Sequence, residues 1–479
     1  MTDAQSTQAD EDAGPAEAPA PHKGGDDGAG VRGLLASPGA RFIMIGFLSL
    51  VLLIPSLLVW GLVEERGERA REVSGRIAEG WGGAQVINGP YLAVPFLVTR
   101  DIVSDGRVVS QRTATEWTLM MPERLDVDAD LSTEERRLSI YSLPVYHARI
   151  ALSGRFAAPR AEDLARIEGR PDFSRALLVV GIADIAGIRS DAALTLDGRA
   201  PVPFEPGMGP VTAAMPADGD PSAAPPRPGS GVHVRLPQGL LDQGFAFRAD
   251  LSLNGSGSFA VAPAGQTSRF EARANWPHPG FRGPFLPEEK TIDASGFKAV
   301  WTIPFLARGV DRTVQGSVLP LADSAMTVTM VEPVRFYQLI ARTLKYAIGF
   351  ISLVFLAVFI VELKGGRAVH WVQYVLTGLA LIVFYVLLLA IAEHTGFDLA
   401  YLVAAAATSL LIATYVGAVT ASRAIGGVLA GILVLAYGVM YLILREDDYA
   451  LLAGALISFL TIAATMAATR TVDWTGRGR

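Results

Sequence analysis

The chain has 479 residues, of which 51% are hydrophobic and only 18% charged, with a formal net charge of −6. About a quarter charged is usual for a soluble domain, so the deficit points to a membrane, and the acidic balance excludes a nucleic-acid surface, which needs a clustered basic face. With no cysteine, disulfides, thiol nucleophiles and thiolate metal sites are excluded, and the length allows roughly two to four domains.

Residues 1–40 are rich in Ala, Gly, Pro and Asp, with almost no large apolar residue before Val31. They bury too little surface to offset ordering entropy and are expected to form a disordered tail. The Gly-Gly-Asp-Asp-Gly run at 24–28 lacks the preceding strand and the Gly-Lys-Ser/Thr of a phosphate loop. Phe42–Val63 then carries no charge. A spanning helix needs roughly 20 apolar residues, and a cleaved signal has a shorter apolar core. The segment 41–63 therefore reads as an uncleaved anchor, with Trp60 suited to the interface. Ala70, Val73 and Ile77 continue at helical spacing, so the helix extends into water.

From Gly82 to Glu332 the period changes to two. Phe245, Phe247, Leu251 and Leu253 alternate with Arg248, Asp250 and Ser252, and Asn254-Gly255-Ser256-Gly257 is expected to turn the chain. Phe270, Ala272, Ala274 and Trp276 alternate with Arg269, Glu271, Arg273 and Asn275. Phe297, Ala299, Trp301 and Ile303 repeat the pattern, as do Tyr146, Ala148, Ile150 and Leu152. Strict alternation means one buried and one wet face, the habit of antiparallel sheets, so this region predicts a sandwich or barrel. The Pro/Gly/Ala-rich stretch 205–230 is expected to be a mobile loop.

Near Pro333 the chain returns to the membrane, with Phe336, Leu339, Ile340 and Leu344 at helical spacing and Lys345 at the entry. Uncharged blocks follow at about 346–361, 371–392, 399–422, 424–444 and 449–469. One set of breaks holds Lys364 and Arg367, then Arg423, then Arg470, Arg477 and Arg479; the alternate set holds Glu393 and Asp398, then Arg445, Glu446, Asp447 and Asp448. Because Lys and Arg concentrate on the cytoplasmic side, both termini are expected inside, with the β-rich region and the acidic breaks outside.

The outer breaks supply a candidate functional rim: Glu393, His394, Asp398, Glu446, Asp447 and Asp448. Oxygen and imidazole donors of this kind could hold a metal. Asp398 and Asp448 also precede apolar runs directly, where a carboxylate caps free N–H groups and favours the positive helix end. Capping is the simpler account, so no metal or cofactor is expected. Ion-coupled transport usually leaves ionisable groups inside spans. Here the span interiors offer Thr408, Ser409, Thr414, Tyr415 and Tyr437, and the small residues at 404–407 and 426–431 suit close helix packing. There is no His-Glu-x-x-His, Gly-x-Ser-x-Gly or dinucleotide fingerprint. The outer region has His147, on the polar face of a strand, His233, and His278 in a Trp-Pro-His-Pro-Gly turn.

Several stretches together resemble the CreD inner-membrane family over about residues 40–475. They include Gly89-Pro90-Tyr91-Leu92, Ile140-Tyr141, Trp276-Pro277-His278-Pro279, Phe285-Leu286-Pro287 and Lys345-Tyr346. Gln373-Tyr374, Phe384-Tyr385, Glu393-His394-Thr395-Gly396-Phe397, Asp448-Tyr449-Ala450-Leu451-Leu452 and Asp473-Trp474 complete the set. The chain departs from the family at Asp184-Ile185-Ala186-Gly187-Ile188, where the family tends to carry an Arg, and at Arg335 before Phe336-Tyr337, where it often carries an acid. The resemblance implies a bacterial inner-membrane protein tied to cell-envelope integrity, under Cre two-component control in some bacteria, with links to β-lactam response and colicin tolerance.

The expected fold is a six-helix transmembrane bundle plus a β-rich extracytoplasmic domain. Its parts are the tail 1–40, anchor 41–63, β-rich periplasmic domain 64–344, five-helix bundle 345–470 and tail 471–479. The expected role is non-catalytic support of the envelope, with the β-rich domain binding a periplasmic or inner-membrane partner and the helices seated in the lipid bilayer. The alternative is a transporter or permeability component for a neutral or amphiphilic solute.

Overall fold

The structure, a computed structural model, describes residues 38–104, 107–190, 192–213, 230–330, 336–365, 369–445 and 450–470. Residues 1–37 of the expected tail 1–40, the terminal tail 471–479 and residues 446–449 lie outside the described residues, while residues 38–40 open helix Pro38–Val51. The chain divides into two compact units. A helical unit takes the chain up to Leu57, Thr343–Phe384 and the chain from Ala404 on; a β-rich unit takes Leu58–Arg342 together with Tyr385–Val403. The unit boundaries thus fall inside helices rather than at the charged breaks.

Among the described residues, four helices are long and apolar enough to cross a membrane: Gly39–Trp81, Trp371–Thr395, Phe397–Val419 and Arg423–Arg445. A fifth crossing results if Phe336–Lys345 and Ala347–Leu363, bent by 53°, form one span. The last apolar block forms helix Ala450–Thr469, with an apolar run over Gly454–Ala467. The first helix is interrupted at Leu52. Pro55 lies three residues on and has no N–H to give the Val51 carbonyl, while Leu52 and Ser56 carry the ladder past the break. Beyond the uncharged run the helix continues to Trp81 and buries Val73 and Ala78.

Among the described residues the β-rich unit is built of two large sheets and one two-stranded sheet. The ten-stranded one has as its main path Pro279–Arg282, Met326–Met330, Ser258–Val261, Gln85–Ser104, Leu177–Ile182, Gly231–Arg235 and Glu205–Pro206. The eight-stranded one runs Glu289–Asp293, Gly296–Ile303, Thr267–Ala274, Arg124–Leu138, Tyr141–Phe156, Phe245–Ser256, Ala193–Leu196 and Val202–Pro203. Alternation decides which face goes in. Tyr146, Ala148, Ile150, Leu152, Phe245, Phe247, Phe270, Phe297 and Trp301 are all buried in one core with residues of the other sheet. Aromatic rings join the sheets: Phe259 meets Tyr146 at 6.2 Å and Phe270 at 6.1 Å, and Phe281 meets Trp301 at 5.7 Å between centroids. Each of these rings that is fully buried contributes about 1.5–3 kcal/mol, and the buried Trp301 N–H is satisfied by the Phe285 carbonyl at 3.1 Å.

Three expectations change. The sheets are mixed rather than antiparallel: strand 267–274 runs parallel to 124–131, and 85–87 parallel to 259–261. Period two reports one buried face and is silent about strand direction. The chain does not turn across Asn254–Gly257. Strand 245–256 runs straight through, with Gly255 opposite Tyr146, and the chain swings into the other sheet only at Gly257, whose φ is +70°. Within 205–230, Glu205–Pro206 pairs with 232–233 and Thr212–Ala213 with 318–319; residues 214–229 lie outside the described residues.

Candidate functional site

Glu393 sits two residues before the end of helix Trp371–Thr395. Its side chain is only 10% exposed. A carboxylate so covered needs partners, because an unpaired buried charge is costly. It has two. The Tyr337 hydroxyl donates to Oε1 at 3.2 Å, and Arg66 Nη1 lies 3.8 Å from the same oxygen. Tyr141, at the start of strand 141–156, engages both Arg66 and Tyr337. Four elements of the β-rich unit therefore converge: the anchor helix beyond its apolar run, the 124–156 hairpin, the membrane-entry helix and the end of a candidate span. Chemically this is one carboxylate, one guanidinium and two phenols at the boundary of the apolar helices.

His394 and Asp398 are exposed. Asp398 lies in the first turn of helix Phe397–Val419, where its charge favours the helix N-terminus. Gly396, at φ +83°, makes the left-handed link between the two helices. Glu446, Asp447 and Asp448 lie outside the described residues. Among the described residues no three His, Asp or Glu side chains group in a way that could hold a metal.

The helical unit holds an ionisable group of its own. Helix Ala347–Gly365 runs past the uncharged block, so Glu362 belongs to it and is buried, 4% exposed. Arg41 donates to Oε1 at 2.8 Å and Tyr374 to Oε2 at 2.7 Å. Phe355 packs edge-on to Tyr374, and Phe42 meets Phe359. Sequence reasoning passed over this triad because Glu362 falls one residue beyond the apolar block. Its position level with Arg41, the last charge before the first apolar run, was the available signal.

A third feature lies on the outer face of the eight-stranded sheet. Strands 124–138, 141–156, 245–256 and 267–274 lie side by side in register. Their outward residues stack in crosswise rows of charge, and strand 141–156 contributes the small Ala151 and Ser153. The resulting open groove of about 520 Å³ is lined by Asp128, Asp130, His147, Arg149, Asp250 and Arg273, with Ala151 in its floor. Arg149 pairs with Asp130 at 2.9 Å and Arg273 with Asp128 at 2.8 Å. His147 is held by Asn254 Oδ1 at 3.0 Å and Ser252 Oγ at 3.1 Å. Beside the groove Glu271 is buried, 7% exposed in its side chain, among Lys298, Arg269 and Arg273. The Lys298 ammonium, then Arg269, holds its carboxyl below the usual range. His278 is remote from the groove in the chain, and its carbonyl accepts from the Trp276 N–H. His233 bonds the Gly207 carbonyl at 2.8 Å.

Two comparisons with known proteins agree on one family. The family described as "Inner membrane protein CreD" matches residues 37–475. The chain is 32% identical over 430 residues to the Inner membrane protein CreD of Escherichia coli (strain K12), covering 89% of this chain and 91% of that one. Tyr141 and Glu393, from two of the recognised motifs, are among the residues the structure gathers with Arg66 and Tyr337. The chain belongs to the CreD family of inner membrane proteins.

Proposed function

We propose that this envelope-associated inner membrane protein works by binding rather than catalysis. The β-rich unit faces the periplasm and holds a periplasmic protein or an envelope component in the groove over Ala151. Six spans, with both termini cytoplasmic, seat it in the bilayer. The observation that carries this reading is the groove itself, a concave polar surface with alternating carboxylates and guanidinium groups that suits a polar, charged ligand. Lys364 and Arg423 in alternate breaks from Glu393 and Asp398 support the orientation.

The test is Ala151→Trp, which fills the groove from its floor, compared with Arg124→Ala outside it, each expressed in cells lacking the native protein. Loss of envelope function by Ala151→Trp at normal membrane abundance is expected. Full function of the filled groove sinks the reading. A second reading, passage of a neutral or amphiphilic solute, draws on Glu362, since ionisable groups among spans often mark a path. It requires Glu362→Gln to change solute flux in proteoliposomes, which the binding reading does not.

A further inference from the structure

The geometry points to the tip of the 124–156 hairpin as a membrane-contacting element that seats Leu138 and Ile140 among lipid headgroups and the first acyl carbons. Leu138 pairs with Tyr141, so the turn is the two residues Ser139 and Ile140, with Ser139 at φ +60°. Such turns favour Asn, Asp and Gly. Here the tip instead shows Leu138 48% exposed and Ile140 38% exposed.

Its depth follows from what Tyr141 touches. Tyr141 engages Arg66 and Tyr337, and both of these reach Glu393. Arg66 is three residues past Val63, the end of an uncharged run, which at a rise of 1.5 Å per residue is about 4.5 Å. Glu393 follows the uncharged run 371–392 directly. A bilayer has about 30 Å of hydrocarbon within about 40–45 Å overall, leaving an interface of roughly 5–8 Å on each side. Tyr141 therefore lies in that interface, and the two aliphatic side chains at the turn lie beside it.

The chemistry of the tip agrees with lipid as its occupant. Tyrosine is favoured at the membrane–water boundary. Arg136 and Arg137 are paired with Glu134 and Glu135 at 2.8 Å and 3.4 Å, so the tip is balanced in charge and does not depend on anionic lipid. Apolar groups seated about 5–10 Å into the headgroup region are the usual mode of interfacial attachment. The same unit carries further exposed aliphatics shortly after Glu393, at Leu399, Leu402 and Val403.

The absence of cysteine makes the test clean. Leu138→Cys, Ile140→Cys and, at the far end of the same strand, Arg124→Cys are each labelled with an environment-sensitive fluorophore in the full-length protein. The proteins are placed in phosphatidylcholine nanodiscs with and without doxyl-labelled lipid. Arg124 is 14 residues from Leu138, about 46 Å along an extended strand. Several-fold stronger quenching by the labelled lipid at 138 and 140 than at 124 is expected. Equal quenching at all three sites overturns the proposal. Protection from aqueous iodide without lipid quenching, the signature of a second copy or another protein on the tip, overturns it as well.

Discussion

Gly255 and Gly257 sit in one Asn-Gly-Ser-Gly run, yet their replacement by alanine should differ for physical reasons. Gly255 is opposite Tyr146 in the ladder. A Cβ there would lie 2.3 Å from the Tyr146 hydroxyl, 2.4 Å from Cζ and 2.7 Å from Cε2. Tyr146 is fully buried and donates to the Ser258 carbonyl at 2.6 Å. To restore ordinary contact the ring must retreat by about 1 Å, which strains the core and breaks that hydrogen bond. Overpacking costs about 1–3 kcal/mol, and an orphaned buried donor about 1–3 kcal/mol more. Gly255→Ala should therefore destabilise the β-rich unit by roughly 2–6 kcal/mol. A Cβ added at Gly257 would meet nothing within 4 Å, so only the φ of +70° opposes a side chain there, and Gly257→Ala should cost about 1 kcal/mol. At roughly 2 °C per kcal/mol for a unit of this size, thermal scans of full-length protein in nanodiscs should fall by about 4–12 °C for Gly255→Ala and about 2 °C for Gly257→Ala. Adding Tyr146→Leu to Gly255→Ala should cost less than the sum of the two by about 1 kcal/mol or more. An unchanged transition for Gly255→Ala, or one no lower than that of Gly257→Ala, would refute the reasoning.

Glu271 is held below the ordinary carboxylate range by Lys298 and then Arg269, so the folded state favours its ionised form. Its contribution is present above the ordinary carboxylate range and is lost as pH falls through the depressed value; thermal scans between about pH 7 and pH 3 should show a weaker acid dependence in Glu271→Gln. Tyr337→Phe and Glu393→Gln should each lower stability by about 1–2 kcal/mol, and a double-mutant cycle read by hydrogen exchange should give a coupling of about 0.5 kcal/mol or more. In the helical unit, Arg41→Met and Glu362→Met should each destabilise by about 1–3 kcal/mol, because each leaves its partner's charge in an apolar setting, while the double variant should cost less than the sum; additive thermal shifts would show that the pair does not interact.

Much of this architecture was legible because it rests on periodicity. Trp301, Phe270 and Tyr146 announce a buried face by alternating with charged residues, and the uncharged runs after Arg41 and Trp371 announce helices. Direction was not legible. Nothing in residues 267–274 distinguishes a parallel neighbour from an antiparallel one, because pairing partners are set by connections far along the chain. The candidate site was half legible. Glu393 and Tyr141 stand in recognisable motifs, but Arg66 is one of several charges on a polar helix, and only the fold selects it. Glu271 shows the opposite case: it occupies an outward position in the pattern, and its burial arises from three cationic neighbours, two on its own strand and one across it.

Trp81 has a mechanical consequence. It ends the long helix, donates to the Tyr146 carbonyl at 3.3 Å, and lies beneath the Arg136 guanidinium at 4.1 Å and near that of Arg189 at 5.4 Å. Arg66 meets Tyr141 on the same hairpin. The two helix positions are 15 residues apart, about 22 Å along the axis and about 60° around it, so they share one side of the helix. Tyr141 and Tyr146 are five residues apart, about 17 Å along a strand. Helix and hairpin therefore run alongside each other, pinned at both ends of the shared length. A shaft fastened this way can neither spin nor slip on its own. Torque applied to the helix near the bilayer is delivered to the strands that form the floor of the groove.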